Sequence, residues 1–160
     1  MSGEAPRIPE ALLARCYADA RRCYPEEACG LLIGPKDAAL CDEARPCDNQ
    51  QNRLHAADPE GFPRDARTAY NLGAQDLFFL TRSLDGDRPV KIIYHSHVEV
   101  GAYFSDEDRR AATFEDELLY PVDYLVIDCA AAGVRGAKLF RFRDGAFVAI
   151  AEYPPVSADG

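Results

Sequence analysis

The chain has 160 residues, of which 48% are hydrophobic, and a formal net charge of −9. This length and composition suffice for one domain with a buried core and are short for two domains. The acidic excess argues against general electrostatic binding to nucleic acid or to an anionic membrane, and the sequence shows no membrane-spanning apolar run or signal peptide, so we expect a cytoplasmic protein.

The first part of the chain predicts one helix, one buried strand and a long irregular region. Residues 9–23 carry apolar side chains at helical spacing, which predicts a helix that ends before Pro25. The apolar run at residues 28–34 closes with Gly-Pro and predicts a buried strand. Residues 36–68 are polar and contain several breakers, so we expect a flexible surface there, with residues 38–43 compatible with a further strand.

The middle of the chain predicts a second helix and a central strand. The helix is expected over residues 73–84, with three buried side chains, those of Leu77, Phe78 and Leu80. Residues 90–94 are apolar and β-branched, and they lead directly into His95-Ser96-His97. We therefore expect the histidines at the end of a central strand.

The last part of the chain predicts a third helix, a strand and a hairpin. The helix is expected over residues 105–119, the strand over residues 124–129, and the hairpin over residues 138–150 with its turn at Asp144-Gly145. Alternation of helices with short buried strands predicts an α/β fold, in which a mixed sheet is flanked by helices in three layers.

We expect this single domain to span residues 1–153, followed by a disordered tail at residues 154–160. The six cysteines are expected to be reduced thiols, many of them buried, because no secretory signal and no Cys-x-x-Cys pair is present. Their wide spacing does not resemble a zinc knuckle, so a metal site is sought among histidines and carboxylates.

Two of the three histidines, His95 and His97, stand two residues apart. In an extended segment their side chains point the same way, so both imidazoles can reach one ion at the roughly 2.0 to 2.1 Å typical of zinc–nitrogen bonds. Ser105 and Asp108 follow at a spacing that puts both on one face of the first turn of a helix. Two imidazoles and one carboxylate leave zinc a vacant position for water, as in catalytic sites.

A zinc-activated water also needs a proton acceptor that later protonates the leaving amine. Glu27, at the edge of the first buried strand, is the candidate, and its neighbour Glu26 is the alternative. Ser105 and Asp108 have a second interpretation, since Ser-Asp-Glu-Asp at a helix start is a good capping pattern. Both interpretations of these two residues stay open.

The segment Glu27-Ala28-Cys29-Gly30, with His95-Ser96-His97 and then Ser105 and Asp108, resembles the motif of the JAMM (MPN+, JAB-domain) zinc metallopeptidases, in their small prokaryotic form. The resemblance implies the JAB/MPN fold, which is cytidine-deaminase-like. It implies one zinc ion per chain with His95, His97 and Asp108 as ligands. By similarity, Glu27 is the general acid and base, and Ser105 stabilises the oxyanion.

The loop after the second histidine departs from the family pattern. Many members have proline where Val98 and Phe104 stand here. No ligand is lost, but the conformation of this loop and of the substrate groove beside it is affected. Tyr103 and Phe104 fall in this loop and are the candidates for lining the groove.

The resemblance implies cleavage of the peptide or isopeptide bond after the C-terminal Gly-Gly of a ubiquitin-like protein. The compact chain favours a sulfur-carrier protein as the partner. The alternatives are a deconjugating protease of a bacterial ubiquitin-like or anti-phage pathway, and a non-catalytic MPN scaffold. Two other hypotheses are disfavoured: Cys29 as a nucleophile, because it lies in a buried apolar run, and a role for His55, which has no partner nearby in the sequence.

Overall fold

The computed structural model describes residues 3–156, which form four helices and eight strands. In chain order these elements are α1 (Glu10–Cys23), β1 (Cys29–Ile33), β2 (Glu43–Cys47), α2 (Gln51–Ala57), α3 (Ala74–Ser83), β3 (Val90–Val98), α4 (Asp106–Ala112), β4 (Thr113–Phe114), β5 (Glu117–Leu118), β6 (Asp123–Ala130), β7 (Gly133–Arg143) and β8 (Ala146–Tyr153).

Six strands form one mixed sheet in the order β2-β1-β3-β6-β7-β8. Only β3 and β6 run parallel, and every other neighbouring pair in this sheet is antiparallel. The three adjacent strands β1, β3 and β6 are almost entirely buried, which is why their apolar residues occur on both faces rather than in alternation.

The sheet separates two apolar cores. On one face, α1 packs its buried side chains against alternate residues of β1, β3 and β6, for example Leu32, Ile92 and Leu125. On the other face, Leu80 of α3 and Ala112 of α4 pack against the intervening residues of the same strands. This arrangement confirms the three-layer prediction, and it leaves the β3 histidines on the side of α4.

Two of the predictions for the helices differ from the structure. The helix predicted over residues 105–119 ends at Ala112, because Glu115 and Asp116 adopt positive φ values of 52° and 65° and turn the chain into the small β4–β5 hairpin. Two consecutive residues in the left-handed region are the geometry of a tight hairpin turn, and neither residue here is the glycine or asparagine that usually signals it. Phe78, predicted to be buried, is 64% exposed, whereas Leu80 is fully buried.

The region of residues 36–68 is more ordered than its sequence predicts. Its strand, β2, lies at Glu43–Cys47 rather than at residues 38–43, and residues 51–57 form the helix α2. β2 contains Pro46, which lacks a backbone N–H, and it is tolerated because β2 is an edge strand. The predicted turn at Asp144-Gly145 is confirmed between β7 and β8.

The predicted tail begins at residue 154, and residues 157–160 lie outside the described part of the chain. Within the described part, the Tyr17 hydroxyl donates a hydrogen bond of 2.9 Å to the Pro154 carbonyl, and Val156 packs against the core beside α1. Between residues 3 and 156, no helix combines the length and apolar character that crossing a membrane requires. All six cysteines are free, and five of them are buried.

Candidate metal centre

β3 presents the two histidines together. His95 and His97 are 0% and 3% exposed, and their alternating positions place both rings on the same face of the central strand. The His97 Nδ1 lies 3.0 Å from the Gly101 carbonyl, which can only accept a hydrogen bond, so Nδ1 must donate. In a neutral ring this leaves a lone pair on Nε2.

α4 supplies the third group. The Ser105 hydroxyl accepts from the Asp108 N–H at 3.0 Å, and the Asp108 carboxylate accepts from the Ser105 N–H at 3.0 Å, which is a capping box. The cap holds the Asp108 Oδ2 at 2.9 Å from the His97 Nε2, and Oδ1 lies 3.0 Å from the His95 Nε2. The donor atoms of these three residues all lie within 4.8 Å of one another. Burial opposes ionisation of Asp108, but the two imidazoles hold its pKa well below the usual value.

Glu27 is buried beside this cluster, at 6% exposure. Burial, and after it the charge of Asp108, raises its pKa to about 9, while the charge of Arg64 acts in the opposite direction. Its position is fixed through the backbone, because the next residue, Ala28, donates its N–H to the Ser96 hydroxyl at 2.8 Å. The alternative, Glu26, is only partly buried, and its carboxylate accepts a hydrogen bond from the Asn52 side chain at 2.8 Å.

The donor set fits a zinc ion. Three buried polar atoms have no hydrogen-bond partner among the described residues, namely Nδ1 and Nε2 of His95 and Oε1 of Glu27. The His95 Nε2 lies close to Asp108 but lacks hydrogen-bonding geometry. In a neutral His97 ring, Nε2 carries a lone pair that faces the same carboxylate, and a cation between the two acceptors would bind both. Two imidazoles and a carboxylate are a ligand set that catalytic zinc sites use.

The two aromatic residues predicted to line the groove have different surroundings. The Tyr103 ring packs edge-on against His97, with 4.9 Å between centroids, and is half exposed. Phe104 stacks on Phe147 at 4.0 Å and packs against the core on the α4 side of the sheet. Tyr103 therefore borders the cluster directly, whereas Phe104 anchors the loop that carries it.

Sequence reasoning missed three residues near the cluster, and all three lie in the region around α2. The Tyr70 ring stacks on His95 with centroids 4.5 Å apart. Both ends of the Asn49 side-chain amide form hydrogen bonds. Nδ2 donates to the carbonyls of Glu27 and Ala69, and Oδ1 accepts from two backbone N–H groups. Arg64 is the cation that acts on Glu27. No periodicity marks these positions, because long-range folding brings them to the site.

The family that is described as prokaryotic homologs of the JAB domain matches residues 9–137. The chain belongs to this family. As a JAB-domain protein it is similar to proteins named CysO-cysteine peptidase from Mycobacterium tuberculosis and Mycobacterium bovis, at 29% identity over 136 residues. The match covers 84% of this chain and 81% of those relatives. The family predicted from the Glu27, histidine and Asp108 motif is thus confirmed.

Solved structures agree with the fold. A protein from Desulfitobacterium hafniense superposes with a TM-score of 0.60 at 21% identity, covering 89% of this chain and 87% of that one. A JAB1/MPN domain protein from Archaeoglobus fulgidus gives a TM-score of 0.53 at 18% identity, covering 91% and 95% of the two chains. At these identities the similarity shows the fold alone, and it confirms the predicted single domain with a mixed sheet between helices.

Proposed function

We propose that this JAB-domain protein is a zinc-dependent metallopeptidase of the JAMM type, acting in the cytoplasm. Its substrate would be the peptide or isopeptide bond after the C-terminal Gly-Gly of a ubiquitin-like sulfur-carrier protein. The observation that carries the proposal is the convergence of His95, His97 and Asp108 within 4.8 Å, with the buried carboxylate of Glu27 beside them. The name of the relatives, CysO-cysteine peptidase, supports peptidase activity and a substrate in which an amino acid is joined to a carrier protein.

Each side chain has a role in this hydrolysis. Zinc held by the two imidazoles and Asp108 would act as a Lewis acid and make water acidic enough to attack near neutral pH. Glu27 would take the proton of that water and pass it to the leaving nitrogen. Its burial raises its pKa and so favours the uptake of the proton from that water. Over the reaction, water adds its hydroxyl to the glycine carbonyl carbon and its proton to the nitrogen as the C–N bond breaks.

Ser105 and Tyr103 would act on the substrate itself. The Ser105 hydroxyl oxygen accepts from the Asp108 N–H, so its own proton stays available to a substrate oxygen that gains negative charge. Tyr103, half exposed beside His97, would border the path of the Gly-Gly segment. Glycines can pass extended through a narrow groove that excludes larger residues.

Mass spectrometry tests the proposal. Zinc-loaded protein is incubated with a ubiquitin-fold carrier that ends in Gly-Gly plus one further residue, and we expect a product that ends at Gly-Gly. Glu27→Gln should keep the zinc and lose most of the turnover, whereas Glu26→Gln, the matched control, should retain it. His97→Ala should lose zinc and turnover together. Cleavage that persists in an excess of chelator, or in Glu27→Gln, contradicts the proposal.

A further inference from the structure

A cavity of about 370 Å³ opens beside the proposed metal centre. Asp108 forms part of its wall, and so does Tyr70, the residue that stacks on His95. Two arginines, Arg64 and Arg110, line it together with Glu107. The cavity is therefore continuous with the cluster and carries cationic groups, in a chain whose overall charge is strongly negative.

The two arginines share one carboxylate. The Arg110 guanidinium donates to the Glu107 Oε2 at 2.7 Å, whereas the nearest Arg64 nitrogen, Nε, is 3.6 Å from the same oxygen, which is too long for a hydrogen bond. Arg64 makes one weak hydrogen bond of its own, to the Thr68 carbonyl at 3.3 Å. The two guanidinium groups face two carboxylates in this wall, those of Glu107 and Asp108, and most N–H donors of Arg64 are unused.

The main chain of Arg64 is held in place while its side chain stays accessible. Its carbonyl accepts a hydrogen bond of 2.8 Å from the side chain of Gln51, which is 3% exposed and accepts in turn from Asn71. The Arg64 side chain is 46% exposed. The side chain lines the same cavity as Asp108, so it lies close to the groups proposed to act on the bond.

We propose that this cavity is the subsite for the leaving group, and that Arg64 binds the α-carboxylate of the amino acid or short peptide that is released. The inference rests on the proposed function and narrows its substrate class. A guanidinium fork matches a carboxylate in two parallel hydrogen bonds. A one-residue or short extension ends in a free carboxylate near the cleaved bond, whereas a lysine in an isopeptide continues into a folded protein that a cavity of this size does not hold.

The test compares two substrates that differ in one group. A Gly-Gly carrier extended by a single alanine is prepared with a free C-terminal carboxylate and with a carboxamide. We expect wild type to cleave the acid with a kcat/KM about 10- to 100-fold above that of the amide, the range for a charge-assisted hydrogen bond. Arg64→Gln should remove this preference and Arg64→Lys should restore part of it. Any effect of Arg64 through Glu27 changes both substrates equally, so the ratio isolates the carboxylate.

Arg67 provides the matched control. It lies in the same loop, pairs with Asp65 at 2.8 Å and is outside the cavity, so Arg67→Gln should keep the wild-type ratio. Equal cleavage of acid and amide by wild type overturns the subsite and leaves the proposed function standing. Loss of the preference in Arg67→Gln as well as in Arg64→Gln also overturns it.

Binding provides a readout that does not need turnover. The dissociation constants of the acid and amide substrates are measured by calorimetry with zinc-loaded Glu27→Gln protein, with and without Arg64→Gln. Tighter binding of the acid that disappears with Arg64→Gln supports the subsite. If wild type cleaves neither substrate but this binding difference is present, the proposed function fails and the carboxylate subsite remains.

Discussion

Replacing Glu27 by glutamine should change how the stability of the metal-free protein depends on pH. Burial, followed by the charge of Asp108, raises the pKa of Glu27 from 4.5 to about 9. Between these values the folded protein holds a proton that the unfolded chain has released. The stabilisation from this proton is complete below about pH 4.5, declines as the pH rises and is gone above about pH 9.

The size of the effect follows from the pKa shift. One pKa unit corresponds to about 1.4 kcal/mol, so raising the pH from about 5 to about 7 should withdraw roughly 2 to 3 kcal/mol of the free energy of unfolding through Glu27 alone. Glutamine cannot ionise, and Glu27→Gln should lack this decline. The substitution should therefore make the metal-free protein more stable than wild type at about pH 8, although it abolishes the proposed proton transfer.

Urea denaturation in the presence of a chelator, at several pH values between about 5 and 8.5, measures the effect. Glu26→Gln is the matched control, because that carboxylate is partly exposed and bound to Asn52. If wild type and Glu27→Gln lose stability with pH at the same rate, the protonation assigned to Glu27 is wrong.

Three further outcomes are expected. Ser96→Ala should lower the free energy of unfolding by about 1 to 3 kcal/mol in urea denaturation, because the buried N–H of Ala28 loses its acceptor, and an unchanged midpoint contradicts this. Arg141→Met should cost about 3 to 5 kcal/mol in the same assay by leaving the buried Asp123 unpaired, and a neutral effect refutes that pairing. Asp108→Ala should remove the zinc in elemental analysis, and full zinc content in this variant contradicts the ligand assignment.

The central strands, and the grouping of His95, His97 and Asp108, were predictable because local patterns along the chain and the family motif indicate them. The adjacent strands β1, β3 and β6 carry apolar residues on both faces, as strands buried on both faces require. The period of two along β3 brings His95 and His97 to one side, and the first turn of α4 orients Asp108 through the same capping box that its sequence predicts. The two interpretations of Ser105 are thus compatible, since one geometry forms the cap and places the carboxylate.

The surroundings of the cluster were not predictable, because long-range contacts create them. α2 and the loop after it are held by side-chain amides, with Asn49 and Gln51 joining backbone groups that are distant in sequence. Such contacts have no periodicity and look like an irregular polar segment. The exposure of Phe78 was not predicted for a related reason. Helical spacing shows which residues of α3 are apolar, but it does not show which of them other parts of the chain cover.

Identifying the atoms that bind the ion tests the metal centre on which the proposed function depends. X-ray absorption at the zinc edge, on purified protein with one zinc per chain, should show nitrogen and oxygen scatterers alone at about 2.0 to 2.2 Å, with the imidazole signature of two histidines. A sulfur scatterer at about 2.3 Å would instead place the metal on cysteines. That result would contradict the centre formed by His95, His97 and Asp108, and the metallopeptidase proposal with it.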